Sequence, residues 1–403
     1  MRIILLVGAA WLLYTYIGYP SFLLVLITWR KSIRVLSAPN YLPTVSVLIA
    51  ARNEQRDIAW KINETLAWDY PPDKFELLIA SDASDDLTDE IIRAIRDPRL
   101  VFVRMEQRGG KVRALNHLVA IARGEIFFFT DANAHVSSQA LRLMVRHFAD
   151  SRVGCVTGHS RPIDEMQSPA IAKGAQAYWG FESIVKHLES RIGSVLVCDG
   201  AIFCTRSSLY EPLHPELAND LELPMRIGAA GYWVISEPNA LVFERDTSSP
   251  LEELRRRRRM CAQGMTAMLE LPGTLRGVRG WQFISHKFLR WTSLVPMIMV
   301  LVGSAAGAAD SVWLAGLLAL QAIFYGLALL GLFSALGGRP VKHWAAVPFY
   351  VVLGVTGALW GVLEALLGKR FDIWEIPALS RGDAEALAPS AAAPPVSCKR
   401  EWG

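Results

Sequence analysis

Residues 125–136 read EIFFFTDANAHV. Three consecutive phenylalanines lead straight into Asp131, Ala132 and Asn133. A run this apolar is stable when buried, whereas a carboxylate needs water or a partner. A strand that crosses a core and ends on Asp-x-Asn carries two oxygen-bearing side chains to the mouth of a sheet. Taken alone, the same pattern is an Asx-turn closing a strand. The rest of the chain decides between the two.

Other apolar runs end the same way. VSVLIAA (45–51) is followed by Arg52-Asn53-Glu54, and FELLIA (75–80) by Ser81-Asp82-Ala83-Ser84-Asp85-Asp86. RLVFVR (99–104) is a further strand, and polar, helix-periodic stretches follow at 55–66, 86–96, 111–122 and 137–150. This alternation predicts an α/β domain over about 40–270, with a mostly parallel sheet covered on both faces. In such sheets ligands bind beyond the carboxyl ends of the strands. Acidic and amide side chains gathered there suit a hard divalent cation that also holds a diphosphate. No glycine-rich phosphate loop follows the first strand, which weighs against a dinucleotide oxidoreductase and against a P-loop enzyme.

Outside this domain the chain turns apolar. It has 403 residues, 52% of them hydrophobic, and a formal charge of only +4, a balance that does not point to nucleic acid. Its five cysteines are odd in number and show no C-x-x-C spacing, which predicts reduced thiols and argues against a zinc cluster. Residues 3–28 carry no charge and are followed by Trp29-Arg30-Lys31. This predicts an N-terminal transmembrane helix over 1–29 that is not cleaved, with the next domain in the cytoplasm. Apolar runs at 292–309, 311–335 and 344–367 predict about three more spans in 292–367. The segment 274–291 mixes Arg, Lys and His with Trp and Phe, as an interfacial amphipathic helix would. The Ala/Pro-rich tail 383–403 is predicted to be disordered. The protein is thus expected to be multi-pass in the cell (inner or plasma) membrane. Lys369-Arg370 after the last run strain an even-numbered topology with an outside N-terminus, which a re-entrant segment would relieve.

The motif order VSVLIAARNE, LLIASDASDDLTDEI, GGKVRALN, FFFTDANA and NDLELPMRIGAAGY resembles glycosyltransferase family 2 over about 43–270. The resemblance implies a GT-A (Rossmann-like) fold and inverting transfer from a nucleotide-diphosphate sugar. It is strongest to the membrane-bound branch that includes cellulose, chitin, hyaluronan and poly-N-acetylglucosamine synthases. By matching motifs it places Ala51, Arg52, Glu54 and Asp82 on the donor nucleoside and Lys111 near the nucleotide or its phosphates. Asp131 also falls on the donor, and Asp131 with Asn133 would hold Mg²⁺ or Mn²⁺. Asn133 stands where the family has an Asp, so one negative charge is missing. Asp220 matches the acidic residue that serves as general base; its other reading is a helix N-cap.

The resemblance implies diphosphate or acceptor contacts from Arg256, Arg259, Gly200, Trp179 and Glu182. Here the sequence departs from the family: LEELRRRRRM stands where processive synthases carry Q-x-x-R-W. Arg259 keeps the arginine, and Met260 replaces the stacking tryptophan. This implies short products or a single addition to a lipid-linked acceptor. Of the other arginines, the neighbours of Arg259 are expected to face lipid or solvent. The expected partners are a nucleotide-diphosphate sugar (a UDP-sugar first), a glycan or polyprenyl-lipid acceptor, and membrane lipid. A non-catalytic, degenerate nucleotide-binding membrane protein is the alternative, with Asn133 its main support.

Overall fold

A computed structural model describes residues 2–30, 32–162, 169–244 and 249–371, without the side chains of Arg30 and residues 162–179. The tail at 383–403 and Cys398 lie outside the described residues. An N-terminal rod, α1 (Arg2–Leu13) and α2 (Tyr19–Arg30), continues through a π-helical turn at Tyr14–Gly18. The next half of the domain alternates: β1 (Val45–Ala51), α3 (Ile58–Leu66), β2 (Phe75–Ser81), α4 (Thr88–Ala94), β3 (Leu100–Arg104), α5 (Lys111–Val119), β4 (Ile126–Thr130). Then come β5 (His135–Val136), α6 (Ala140–Val145), β6 (Val153–Pro162), α7 (Pro169–Ser190), β7 (Ile202–Arg206), α8 (Asn219–Ala229), β8 (Trp233–Glu244) and α9 (Pro250–Glu270).

The strands form one eight-stranded sheet in the order β3-β2-β1-β4-β7-β6-β8-β5. All seven residues of β1 are buried because both faces are covered. Val45, Val47, Ile49 and Ala51 enter the core with Ile58 and Ile62 of α3, while Leu48 and Ala50 pack with Ala114, Leu115 and Leu118 of α5. This two-residue alternation is the pleat of a strand expressed in burial. The sheet is mostly parallel, as expected, but mixed, with β5 and β7 reversed. β7 runs antiparallel to both β4 and β6, and β8 then runs parallel to β6. The carboxyl ends of β1, β2, β4, β6 and β8 therefore share one edge with the start of β7.

α9 begins with a sequence-encoded cap: Ser249 Oγ accepts from Glu252 N at 3.3 Å, with Pro250 in the first turn. It packs along α14 (His343–Leu366), where a Cβ on Gly361 would come 2.1 Å from the Arg258 carbonyl oxygen. Arg258 grips Glu364 through two donors. Arg257 bonds Glu253 at 2.6 Å and the Tyr350 hydroxyl at 3.1 Å. This corrects the expectation that these two arginines face lipid or solvent. Successive helical residues point about 100° apart, so a run of five must send some inward, and here the inward side faces α14.

The 278–291 segment comprises α10 (Val278–Gln282), a π-helical turn at Phe283–Phe288 and α11 (Leu289–Trp291). Its charges do not form an outer face: His286, Lys287 and Arg290 are buried against α7. α12 (Leu294–Gly307) and α13 (Val312–Leu336) complete the chain before α14. Among the described residues, Arg2–Trp29, Val312–Leu336 and His343–Leu366 are long and apolar enough to cross a membrane. α12 reaches about 21 Å, short of the roughly 30 Å of a bilayer core. It meets Val278–Trp291 at a 59° bend.

Candidate active site

The site grows from the shared strand edge. After β1, the Arg52 guanidinium donates to the carbonyls of Asp82 (2.6 Å) and Ala83 (2.8 Å). The Ala51 carbonyl accepts from Asp82 N at 2.9 Å. Asn53 and Asp85 bond each other twice, at 2.6 and 3.0 Å. Ala83 sits at φ 53°, a left-handed conformation natural to glycine and costly with a Cβ. The Asp82 carboxylate accepts from Gly109 N (2.6 Å) and Gly110 N (2.9 Å), so it holds the loop that starts α5. Gly110, at φ 85°, makes that turn possible.

Lys111, the first residue of α5, lays its ammonium on Asp131 beyond β4. Burial opposes the charged Lys111, but Asp131, with Asp220 and Glu244 beyond it, outweighs burial and raises its pKa. Asp131 is partly buried and Asn133 exposed. Beneath this turn lies fully buried Lys61 of α3, which donates to Thr130 Oγ1 (3.1 Å) and the Ala134 carbonyl (2.5 Å). Burial lowers its pKa to about 8.

α8 presents Asp220 to the same region. The residue before the helix is Ala218 and no side chain caps it, so Asp220 is not an N-cap. Pro224 lies inside α8 and has no N–H, which frees the carbonyl four residues earlier. That carbonyl, of Asp220, accepts from Cys198 N at 2.8 Å and fastens the 198–200 loop to the helix. Gly200 allows the close approach: a Cβ there would lie 3.0 Å from Asp220 Oδ2. Burial raises the Asp220 pKa, Lys111 and Lys186 pull it down, and Asp199 and Asp131 push it up, with a net rise.

Asp199, Glu244 and Lys61 were not singled out from the sequence. Asp199 accepts from Ser160 N (2.8 Å) and Ser160 Oγ (2.7 Å). Glu244 ends β8 as Asp131 follows β4, and burial, Asp199 and Asp131 raise its pKa to about 7. Glu54 is pushed up to about 8 by burial, Asp57, Asp131 and Asp86. The available signals were an acid at a strand end for Glu244 and a lysine on the same helix face as Ile58, Ile62 and Thr65 for Lys61. Asp199 sits in a Cys-Asp-Gly turn that carries no periodic signal.

The remaining expected residues divide. Arg256 bonds Glu253 at 3.0 Å, and Glu244 is among its charged neighbours. Arg259 is partly buried on α9, and Met260 is exposed. Glu182 is held by Lys287 (2.6 Å), Arg290 (2.5 Å) and His286 (3.3 Å), one turn along α7 from Lys186. The side chain of Trp179 lies outside the described residues. Among the described residues no three His, Cys, Asp or Glu side chains form a metal-binding group. Asp131 takes the Lys111 ammonium and Asn133 is exposed beside it, in an edge crowded with carboxylates.

A mixed sheet whose parallel half ends in Asp82 and an Asp-x-Asn turn is the GT-A glycosyltransferase fold. Mannosyltransferase PcManGT from Pyrobaculum calidifontis, solved in complex with GDP-Man and Mn²⁺, shares it: TM-score 0.67 and 24% identity over 89% of this chain and 99% of that one. Residues 46–208 match the model of Glycosyl transferase family 2, and the chain carries a domain of that family of nucleotide-sugar transferases. A beta-monoglucosyldiacylglycerol synthase of Synechocystis sp. is 36% identical over 141 residues, 34% of this chain and 28% of its own. A poly-beta-1,6-N-acetyl-D-glucosamine synthase of Staphylococcus aureus is 26% identical over 205 residues, 49% of each chain. The chain thus spans between about a quarter and a half of the length of these relatives.

Proposed function

We propose that this protein is a membrane-anchored, inverting glycosyltransferase. It moves a sugar from a nucleotide-diphosphate sugar to a hydroxyl of a glycan or lipid-linked acceptor in envelope or extracellular glycan synthesis. The observation that carries the proposal is the half-buried Asp220, with a raised pKa, facing the Lys111–Asp131 pair across one strand edge. The relatives named for a glycolipid and for a polysaccharide support both acceptor classes. The three long apolar helices support an inner- or plasma-membrane location with the domain on the cytoplasmic side.

In this mechanism the acceptor oxygen attacks the anomeric carbon as its proton passes to the Asp220 carboxylate. The bond from that carbon to the diphosphate oxygen breaks on the opposite face, inverting the centre. Arg52, Glu54 and the 82–83 turn line the nucleoside end. Lys111 and Arg259 offset the charge that develops on the leaving diphosphate. Asp131 and Asn133 fit a Mg²⁺ or Mn²⁺ ion, since such ions take one or two protein oxygens and fill their shell with phosphate and water. The raised pKa values of Glu54 and Glu244, each partly caused by Asp131, mark an edge with excess negative charge. The bound cation would neutralise the diphosphate. Met260 at the stacking position supports short products over a long held chain.

The test is nucleoside diphosphate release by purified protein in detergent, across UDP- and GDP-sugars, with and without Mn²⁺. Release with one donor, increased by a lipid or glycan acceptor, is expected. Tight nucleotide binding with no release from any donor would leave the non-catalytic reading standing instead.

A further inference from the structure

A cavity lies away from the catalytic edge, at the other end of β8. It has a volume of about 450 Å³ and is lined by Leu26, Ile33, Tyr232, Trp233, Arg276 and Arg279, among others. Arg279 lies across α8 at Gly228, where a Cβ would come 2.7 Å from its Nη1. Its buried Nε has no hydrogen-bond partner among the described residues. Neither Arg276 nor Arg279 has a carboxylate partner among the described residues. The cavity therefore offers two cationic forks on one side and an apolar wall on the other.

Its depth is fixed by α2. Leu26 lies one turn before Trp29, which is 89% exposed and is followed by Arg30-Lys31. Phe22, Leu24 and Val25 of the same helix are exposed and apolar. A tryptophan and basic residues at the end of an apolar helix mark the headgroup level of a bilayer. Planar guanidinium groups match phosphate oxygens in pairs.

We infer that this cavity binds the phosphate headgroup of an anionic membrane phospholipid. Arg276 and Arg279 hold the phosphate, while Leu26, Ile33 and Trp233 lie along the glycerol and first methylenes. The site is separate from donor and acceptor, and it rests on the reading of Arg2–Trp29 as a membrane span.

The test uses full-length protein in neutral detergent, titrated with phosphatidylglycerol or phosphatidylcholine, with bound lipids counted by native mass spectrometry. Phosphatidylglycerol should bind about 30-fold more tightly, since each arginine near an anionic lipid contributes a factor of about five. The R276Q/R279Q double variant should lose that preference at an unchanged unfolding temperature. Equal binding of both lipids by the wild type, or a preference that survives R276Q/R279Q, overturns the site. Glycerol 3-phosphate separates the sources: failure to displace the lipid from wild-type protein supports the lipid site, and ready displacement assigns the arginines to a soluble phosphate and overturns it. Recovery of wild-type protein in the aqueous fraction without detergent would remove the span, and the lipid with it.

Discussion

Asp220→Asn should separate chemistry from architecture. Asparagine keeps the size of the side chain against Gly200 and leaves the Asp220 carbonyl bond to Cys198 intact, but it takes no proton at working pH. Loss of a general base lowers turnover by ~10²–10⁴, equivalent to about 3–5.5 kcal/mol of barrier. The stability effect has the opposite sign. Burial raises the folded pKa of Asp220 above its unfolded value. The stability such a group contributes is fully present below the unfolded pKa and is lost as pH rises through the folded one. Above that folded pKa the wild type holds an ionised carboxylate where desolvation disfavours it, and the amide relieves that cost. The variant should unfold at the same or a higher temperature near neutrality, with the difference shrinking toward acid pH. The raised pKa also places the acid limb of the wild-type kcat/KM profile above the ordinary carboxylate range. Nucleoside diphosphate release and thermal unfolding, both followed against pH, are the assays. Turnover within tenfold of wild type, or a loss matched by a lower unfolding temperature, would refute the assignment.

Asn133→Asp should tighten Mn²⁺ binding, read by calorimetry, and keep transfer active, because it restores one oxygen charge beside Asp131; complete loss of transfer would mean that Asn133 does not serve a cation. Lys61→Met removes the donor to Thr130 and Ala134, at about 1–3 kcal/mol for buried groups left unpaired. Because the folded pKa of Lys61 is lowered to about 8, wild-type stability should rise from pH 8 upward relative to this variant, and parallel pH profiles would contradict that. Arg258→Gln and Glu364→Gln should each lower thermal stability, by about 1.5–3 kcal/mol for a charge-assisted bond. A double-mutant cycle should show that they couple; additive losses would mean that the pair does not fasten α9 to α14. Ala83→Gly should raise stability by up to about 1 kcal/mol, because a Cβ in the left-handed region costs roughly that much; a lower unfolding temperature would count against strain at this turn.

The parallel half of the sheet was legible because β1, β2 and β4 are buried on both faces, and such strands read as unbroken apolar runs. Their carboxyl ends announced Asp82 and Asp131. The other half was not legible. β6 (VGCVTGHSRP) and β8 (WVISEPNALVFE) contain Gly, Pro, Asn and Arg, and their pairing shifts register after Val153 and again after Thr157. A strand that bulges loses the two-residue rhythm by which it is recognised. With β8 unread, Glu244 at its end had no address, and the reversal at β7 had no local signal at all. Asp220 was legible through its neighbours in sequence, yet what holds it, the Pro224 gap and Gly200, lies in contacts across the fold.

The 278–291 segment shows why composition does not give direction. Mixed charges and aromatics describe an amphipathic helix, but amphipathicity needs the charges on one outward side. α7 supplies the contrary pull. Glu182 and Glu189 stand two turns apart on one face, and both are buried. Glu189 accepts from the Tyr19 hydroxyl at 2.6 Å and pairs with His286 Nδ1 at 2.9 Å. Glu182 takes Lys287 and Arg290. Burial opposes the charged form of Glu182, but these cations outweigh it and hold its pKa well below the usual carboxylate range. The π-helical turn at Phe283–Phe288 falls within this segment, and such turns change which residues of a helix share a face. Removing one partner from a buried ion cluster typically costs about 3–5 kcal/mol, so the cluster fixes α2, α7 and this turn as one unit. That unit matters to the site because Lys186 lies one turn from Glu182 and is a charged neighbour of both Asp199 and Asp220. The apolar rod that begins the chain and the carboxylate proposed as the base are thus joined by two turns of one helix.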